Sequence, residues 1–242
     1  MTQSLISRIE QHVRDLINEV ANSAQGEFLP SIKTLLKFEN ESDWITICSL
    51  LDVIGDTELA KDNFRKFKIE GPTKIEDFGE RYLRLYGILN AVYLQHSAVE
   101  SFLEIIKYPA KNAALKDLND LKILELRNKA GAHTVDYLGN DRKKNPHQIS
   151  RGIGDNTKIE TLDSNNVHQE YDLHLLLNHF DDTVEYLLLK GAMKFVSTVF
   201  KNNSVKKAKY LRNLNAFEKA LETGILIGFE GEPIFMDFRR ER

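Results

Sequence analysis

An arginine, an asparagine and a histidine stand close together in Glu125-Leu126-Arg127-Asn128-Lys129-Ala130-Gly131-Ala132-His133, at the end of an apolar-periodic segment. Arginine presents a planar fork of donors that stays charged at any working pH, which suits a phosphate. Histidine is the side chain best placed to move a proton near neutrality. Arg127 and His133 therefore supply the two functions needed to bind and cleave a phosphodiester without a metal, and Asn128 is a third residue able to handle a phosphate.

Spacing tests that idea first. Along an unbroken helix, six residues turn a side chain by roughly 600°, which leaves the two about 120° apart. Gly131 relaxes the objection, because glycine is the usual residue where a helix ends in a left-handed turn. The helix is expected to hold Arg127 and Asn128 and to loosen near Gly131, so that His133 folds back or faces a second copy of the chain. The competing reading is an arginine and a histidine that satisfy terminal carbonyls at a helix end, which also stabilises a helix.

The run Arg127-Asn128-x4-His133 resembles the R-x(4–6)-H motif of the HEPN superfamily, whose arginine is typically followed by a polar residue. The resemblance covers roughly residues 73–200. It implies a small helical bundle, usually a homodimer, with Arg and His of both protomers facing one cleft. Many members are metal-independent endoribonucleases of defence and toxin–antitoxin systems, so RNA and an antitoxin or regulatory partner become the implied partners. Others are inactive and bind nucleotides or proteins. Some members carry R-x4-H-x-Y, with a tyrosine that a partner enzyme modifies; here Tyr137 comes four residues after His133, and that role is not carried over.

Composition bounds the classes. The chain has 242 residues, 29% of them charged and 42% hydrophobic, and a net charge of −3. That is ordinary for a globular protein and does not suit one that coats nucleic acid by bulk electrostatics, so any RNA contact must use a local patch. The single cysteine, Cys48, excludes a disulfide framework within one chain and reads as a small buried hydrophobe. Charges at Arg8, Glu10 and Arg14 argue against a signal peptide, no run of 18 uncharged apolar residues suggests a membrane span, and the chain reads as cytoplasmic. No cofactor motif is present: there is no Gly-rich phosphate loop and no G-x-S-x-G.

The elements that must position the motif are helical. Residues 3–22 predict one amphipathic helix, and a short helix with Pro30 in its first turn runs to about Phe38. A third covers residues 42–54, ended by Gly55, and Asp56 caps a fourth through Phe67. Gly71-Pro72 marks a boundary, after which Thr73-Lys74-Ile75-Glu76 has the form of a capping box opening a long helix to about Lys107. That helix is apolar over so much of its circumference that it must be buried on more than one side, in a bundle or a dimer interface. His96 within it reads as a hydrogen-bonded core histidine. Residues 113–130 form the next helix and deliver the motif at its C-terminal end.

Residues 138–167 read as a polar loop, with short strands near Ile149 and Ile159–Leu162. This loop places Arg142, Lys143, Lys144 and Arg151 close behind the motif. With Lys129 they are the candidate RNA contacts, and a solvated surface loop explains the same loop residues. A long helix over 168–200 completes the bundle, a helix over 204–223 follows, and residues 225–238 predict a small β-hairpin. His168, His174 and His179 do not share a helical face and are not read as a metal site.

The expected architecture is thus mainly α: an N-terminal helical section over 1–72, a HEPN-like bundle over 73–203 with the polar loop, and a C-terminal helix and hairpin over 204–242. The function implied is a HEPN-type endoribonuclease leaving 2′,3′-cyclic phosphate ends. The alternative is a non-catalytic HEPN-like nucleotide-binding or protein-interaction dimer.

Overall fold

Helix α1, Leu5–Ala21, turns Leu5, Ile6, Ile9, Val13, Leu16, Ile17 and Val20 inward, and Ser4 caps it by accepting from the Ser7 amide at 3.1 Å. The same logic builds most of the chain. This computed structural model describes residues 3–73, 77–109, 111–132, 137–138, 144–150, 157–223, 226–227 and 233–234. Eight α-helices stand among these residues, with a three-stranded antiparallel sheet and a two-stranded pair. The protein is mainly helical.

Helix α2, Phe28–Leu36, carries Pro30 in its first turn and ends on Lys37, at a left-handed φ of 63°. Helix α3 runs unbroken over Asp43–Phe67, which corrects the two helices expected on either side of Gly55. A glycine inside a helix costs only about 1 kcal/mol relative to alanine. The apolar positions Leu50, Leu51, Ile54 and Phe64 are all buried, and their burial outweighs that cost. Cys48 on this helix is half-buried rather than a core residue. Helix α4, Phe78–Ile105, begins at Phe78 and not at the expected capping box. Asp77 is its cap, accepting from the amides of Gly79 at 2.7 Å and Glu80 at 3.3 Å; Glu76 lies outside the described residues.

The segment expected as one helix over 113–130 is three pieces. Helix α5 spans Lys111–Asn119, helix α6 spans Lys122–Arg127, and a π-helical turn covers Asn128–Ala132. Gly26 and Gly71 hold positive φ, but Gly131 does not, so the helix widens into a π turn instead of closing on a left-handed glycine. Helix α7 spans Leu173–Val199 and helix α8 spans Ser204–Thr223. Residues 168–172, expected at the start of α7, form a strand instead.

The chain divides into two units. One holds residues 1–55, 97–114 and 183–242, and the other holds 56–96 and 115–182. Helices α3, α4, α5 and α7 contribute residues to both. In the first unit α1 packs on α2 and α8, and His12 Nε2 meets the Tyr210 carbonyl at 3.1 Å. Phe195 stacks on Phe38 at 6.2 Å and takes the edge of Phe102 at 6.4 Å. The C-terminal hairpin is present as Leu226–Ile227 (β4) paired with Pro233–Ile234 (β5).

The second unit holds the sheet, in part of the segment expected as loop. Strand β1 is His147–Ile149, β2 is Lys158–Asp163 and β3 is His168–Asp172, in that order. Asp163 closes the β2–β3 turn by accepting from the amides of Asn165 at 2.8 Å and Val167 at 2.9 Å, with Asn166 at φ 59°. The register pairs His147 with Asp163, Ile159 with Tyr171 and Thr161 with Gln169. Because strand side chains alternate, all of these project from one face.

Candidate functional site

The motif begins at the end of α6. Arg127 is half-buried, with its guanidinium carbon 3.9 Å from the centre of the Tyr93 ring on α4. Its Nη1 donates to Asn128 Oδ1 at 3.1 Å. No carboxylate pairs with Arg127 among the described residues. Tyr93 in turn stacks on His96 at 6.3 Å and 14°, and His96 Nε2 meets Asn119 Oδ1 at 2.6 Å, so a ladder of flat groups supports the arginine from behind. His96 is the buried, hydrogen-bonded histidine that the sequence suggests.

On α4, whose Tyr93 ring lies against Arg127, several large apolar side chains are exposed. Leu83, Tyr86, Tyr93 and Leu94 on α4 are 73%, 44%, 39% and 43% exposed. At 100° per residue they fall in a strip roughly 100° wide, opposite the buried Leu85, Ile88, Leu89 and Val92. The helix is therefore apolar on two sides, as its sequence requires, with one side covered by this chain.

Other predicted site residues fall elsewhere. Lys129, a candidate RNA contact, is buried. Its ammonium contacts Glu125, Gln169 Oε1 at 3.1 Å and the Tyr171 hydroxyl at 3.3 Å. Burial alone would lower its pKa, but the hydrogen bonds to Glu125 and Tyr171 outweigh that and hold it above the usual lysine range. Lys144 is exposed and bridges Leu138 in an isolated antiparallel pair. His133, Arg142, Lys143 and Arg151 lie outside the described residues.

Sequence reasoning passes over His147, on β1. The β1–β3 face and the π turn enclose a cleft of about 210 Å³, lined by Glu125, Lys129, Tyr137, His147, Thr161 and Gln169 among others. The His147 ring is buried, and neither of its nitrogens has a hydrogen-bond partner among the described residues. Burial, then the nearby Lys129 charge, push its pKa below the usual histidine value against the opposing carboxylates of Asp163 and Glu125. Tyr137 stands edge-on to it at 5.1 Å and 82°. No local signal in the sequence marks His147, because its surroundings arise from the pairing of β1 with Thr161–Asp163 of β2.

Among the described residues no group of three or more His, Cys, Asp or Glu is placed to hold a metal ion. His168 instead faces Glu160 at 2.6 Å across β2 and β3. No described helix is long and apolar enough to cross a membrane. No family model, curated protein or solved structure matches the chain.

Proposed function

We propose that this protein is a HEPN-type, metal-independent endoribonuclease that works as a homodimer, in phage defence or as the toxin of a toxin–antitoxin pair. The observation that carries the reading is the state of Arg127. Its guanidinium sits over the Tyr93 ring and donates to Asn128, with no described carboxylate to neutralise it. An arginine kept structurally fixed but electrostatically unspent is suited to an anion. The exposed stripe of Leu83, Tyr86, Tyr93 and Leu94 supports a second copy docking where the two arginines would face one cleft.

In this mechanism His133 takes the proton of the RNA 2′-hydroxyl as it attacks the adjacent phosphorus. Arg127 stabilises the charge growing on the phosphoryl oxygens, and Asn128 keeps its guanidinium in plane. The P–O5′ bond breaks and the departing 5′-oxygen takes up a proton from water, leaving a 2′,3′-cyclic phosphate and a 5′-hydroxyl. The test is RNA cleavage with chelator present, comparing wild type with Arg127→Ala and His133→Ala. Loss in both variants, with dimerisation intact, upholds the reading; equal cleavage in all three overturns it.

The alternative is a non-catalytic HEPN-like dimer that binds nucleotides or proteins. The net charge of −3 and the neutralised Lys129 favour it. Absence of cleavage by pure wild type on structured RNA, tRNA and mRNA would select it.

A further inference from the structure

We infer that the cleft behind the motif is a nucleobase-binding site read by His147. Three features argue for a ligand there. First, the imidazole has two buried nitrogens without partners among the described residues, an arrangement that costs about 1–3 kcal/mol per unmade bond and calls for an explanation. Second, the ring borders open space of about 210 Å³. A single water needs only about 10–15 Å³ on a comparable measure, and drug-sized ligands fill about 300–1,000 Å³, so the cleft suits one small heterocycle. Third, the torsion that orients an imidazole has a broad range, so a turn of the ring brings a His147 nitrogen to the cleft it borders.

The lining selects the chemistry. Glu125 and Asp163 outnumber Lys129, and His147 is neutral, so a free phosphate or other anion is disfavoured. A cation is no better served. Asp163 is already accepting from Asn165 and Val167, and Glu125 is paired with Lys129. Among the neutral groups of the lining, the imidazole offers one donor and one acceptor, and the Gln169 amide nitrogen adds a donor, its partner oxygen being taken by Lys129. Tyr137 supplies an aromatic wall. A donor and an acceptor side by side, next to an aromatic ring, match the hydrogen-bonding edge of an uncharged base. The ribonuclease reading bears on this only in making RNA the source of the base.

The test follows His147 directly. The ring nitrogens are observed by NMR on the full chain while each of the four ribonucleosides is added, so that no phosphate contributes. At least one nucleoside is expected to shift the His147 signals saturably in wild type and equally in Arg127→Ala. In His147→Phe, tracked through the Tyr137 and Gln169 signals, affinity should fall at least tenfold; Gln169→Leu serves the same purpose should His147→Phe not fold. If no nucleoside moves these signals up to its solubility limit, the cleft is a hydrated void and the inference is overturned. If nucleosides bind but RNA is never cleaved, the pocket stands and the ribonuclease reading falls. If RNA is cleaved but no nucleoside binds, the reverse holds. Should binding hold, RNA cleavage by His147→Phe should lose preference for that base; an unchanged preference would assign the pocket to a free nucleoside instead.

Discussion

Lys61 Nζ lies 2.6 Å from Asp181 Oδ1, joining α3 to α7 through two fully buried charges. The pair belongs to a buried network. Lys61 also donates to Gln95 Oε1 at 2.6 Å and contacts Glu58, Gln95 Nε2 donates to Glu58 at 2.8 Å, and Arg65 holds the second Asp181 oxygen. Removing one member of such a buried set strands the others. Lys61→Met should cost about 3–5 kcal/mol in denaturant unfolding, whereas replacing the set together by apolar residues of similar volume should recover most of it. A loss under 1 kcal/mol for Lys61→Met would show that water reaches the cluster.

Two glycines inside helices should respond oppositely to alanine. A Cβ at Gly55 would meet nothing within 4 Å, so Gly55→Ala should stabilise by about 1 kcal/mol through helix propensity alone. A Cβ at Gly191 would fall 2.8 Å from Phe102 Cε1 and 3.2 Å from Leu103 Cδ2. Overpacking of about 1–3 kcal/mol there exceeds the propensity gain, so Gly191→Ala should lower the urea midpoint. Matching midpoints for the two variants would contradict this packing.

Glu19 sets a pH dependence. Hydrogen bonds from Lys209, Lys206 and Tyr210 pull its pKa down to about 2. A carboxylate whose folded pKa is depressed stabilises the fold above its unfolded value, about 4.3, and loses that contribution as pH falls towards 2. Wild type should therefore exceed Glu19→Gln in stability by up to about 1 kcal/mol at neutral pH, the pair being partly exposed, with the gap closing between pH 4.3 and 2 and narrowing in high salt. A gap that stays constant down to pH 2 would remove Glu19 from this role.

The proposed dimer is assigned to the exposed apolar strip on α4. Leu83→Asp with Leu94→Asp should shift sedimentation from dimer to monomer while leaving the helical circular dichroism intact, and cleavage should fall with dimer content. A wild type that is monomeric at all concentrations would refute the shared cleft.

How far the residues disclose this fold depends on how local the signal is. Helix α8 is readable to the residue, 204–223, because its apolar spacing and the Asn203 and Gly224 flanks are all local. The strand His168–Asp172 is hidden: its Gln and Glu favour helix, and only Tyr171 is buried. The Asp163-Ser164-Asn165-Asn166 cluster was the usable clue. At the site, Arg127 and Asn128 are legible from type and spacing. The burial of Lys129 is not, since its partners Gln169 and Tyr171 arrive about 40 residues later through sheet pairing. His147 stays invisible for the same reason: only the folded sheet seals its ring against the π turn.

The most direct measurement of the central claim compares two RNA oligonucleotides with chelator present, one all-ribose and one carrying a single 2′-deoxy sugar at the cleaved position. The account predicts cleavage of the first alone, with 2′,3′-cyclic phosphate and 5′-hydroxyl ends, abolished by Arg127→Ala and His133→Ala. Cleavage of the deoxy-substituted strand at the same bond, or products bearing a 5′-phosphate, would contradict attack by the 2′-hydroxyl and with it the proposed function.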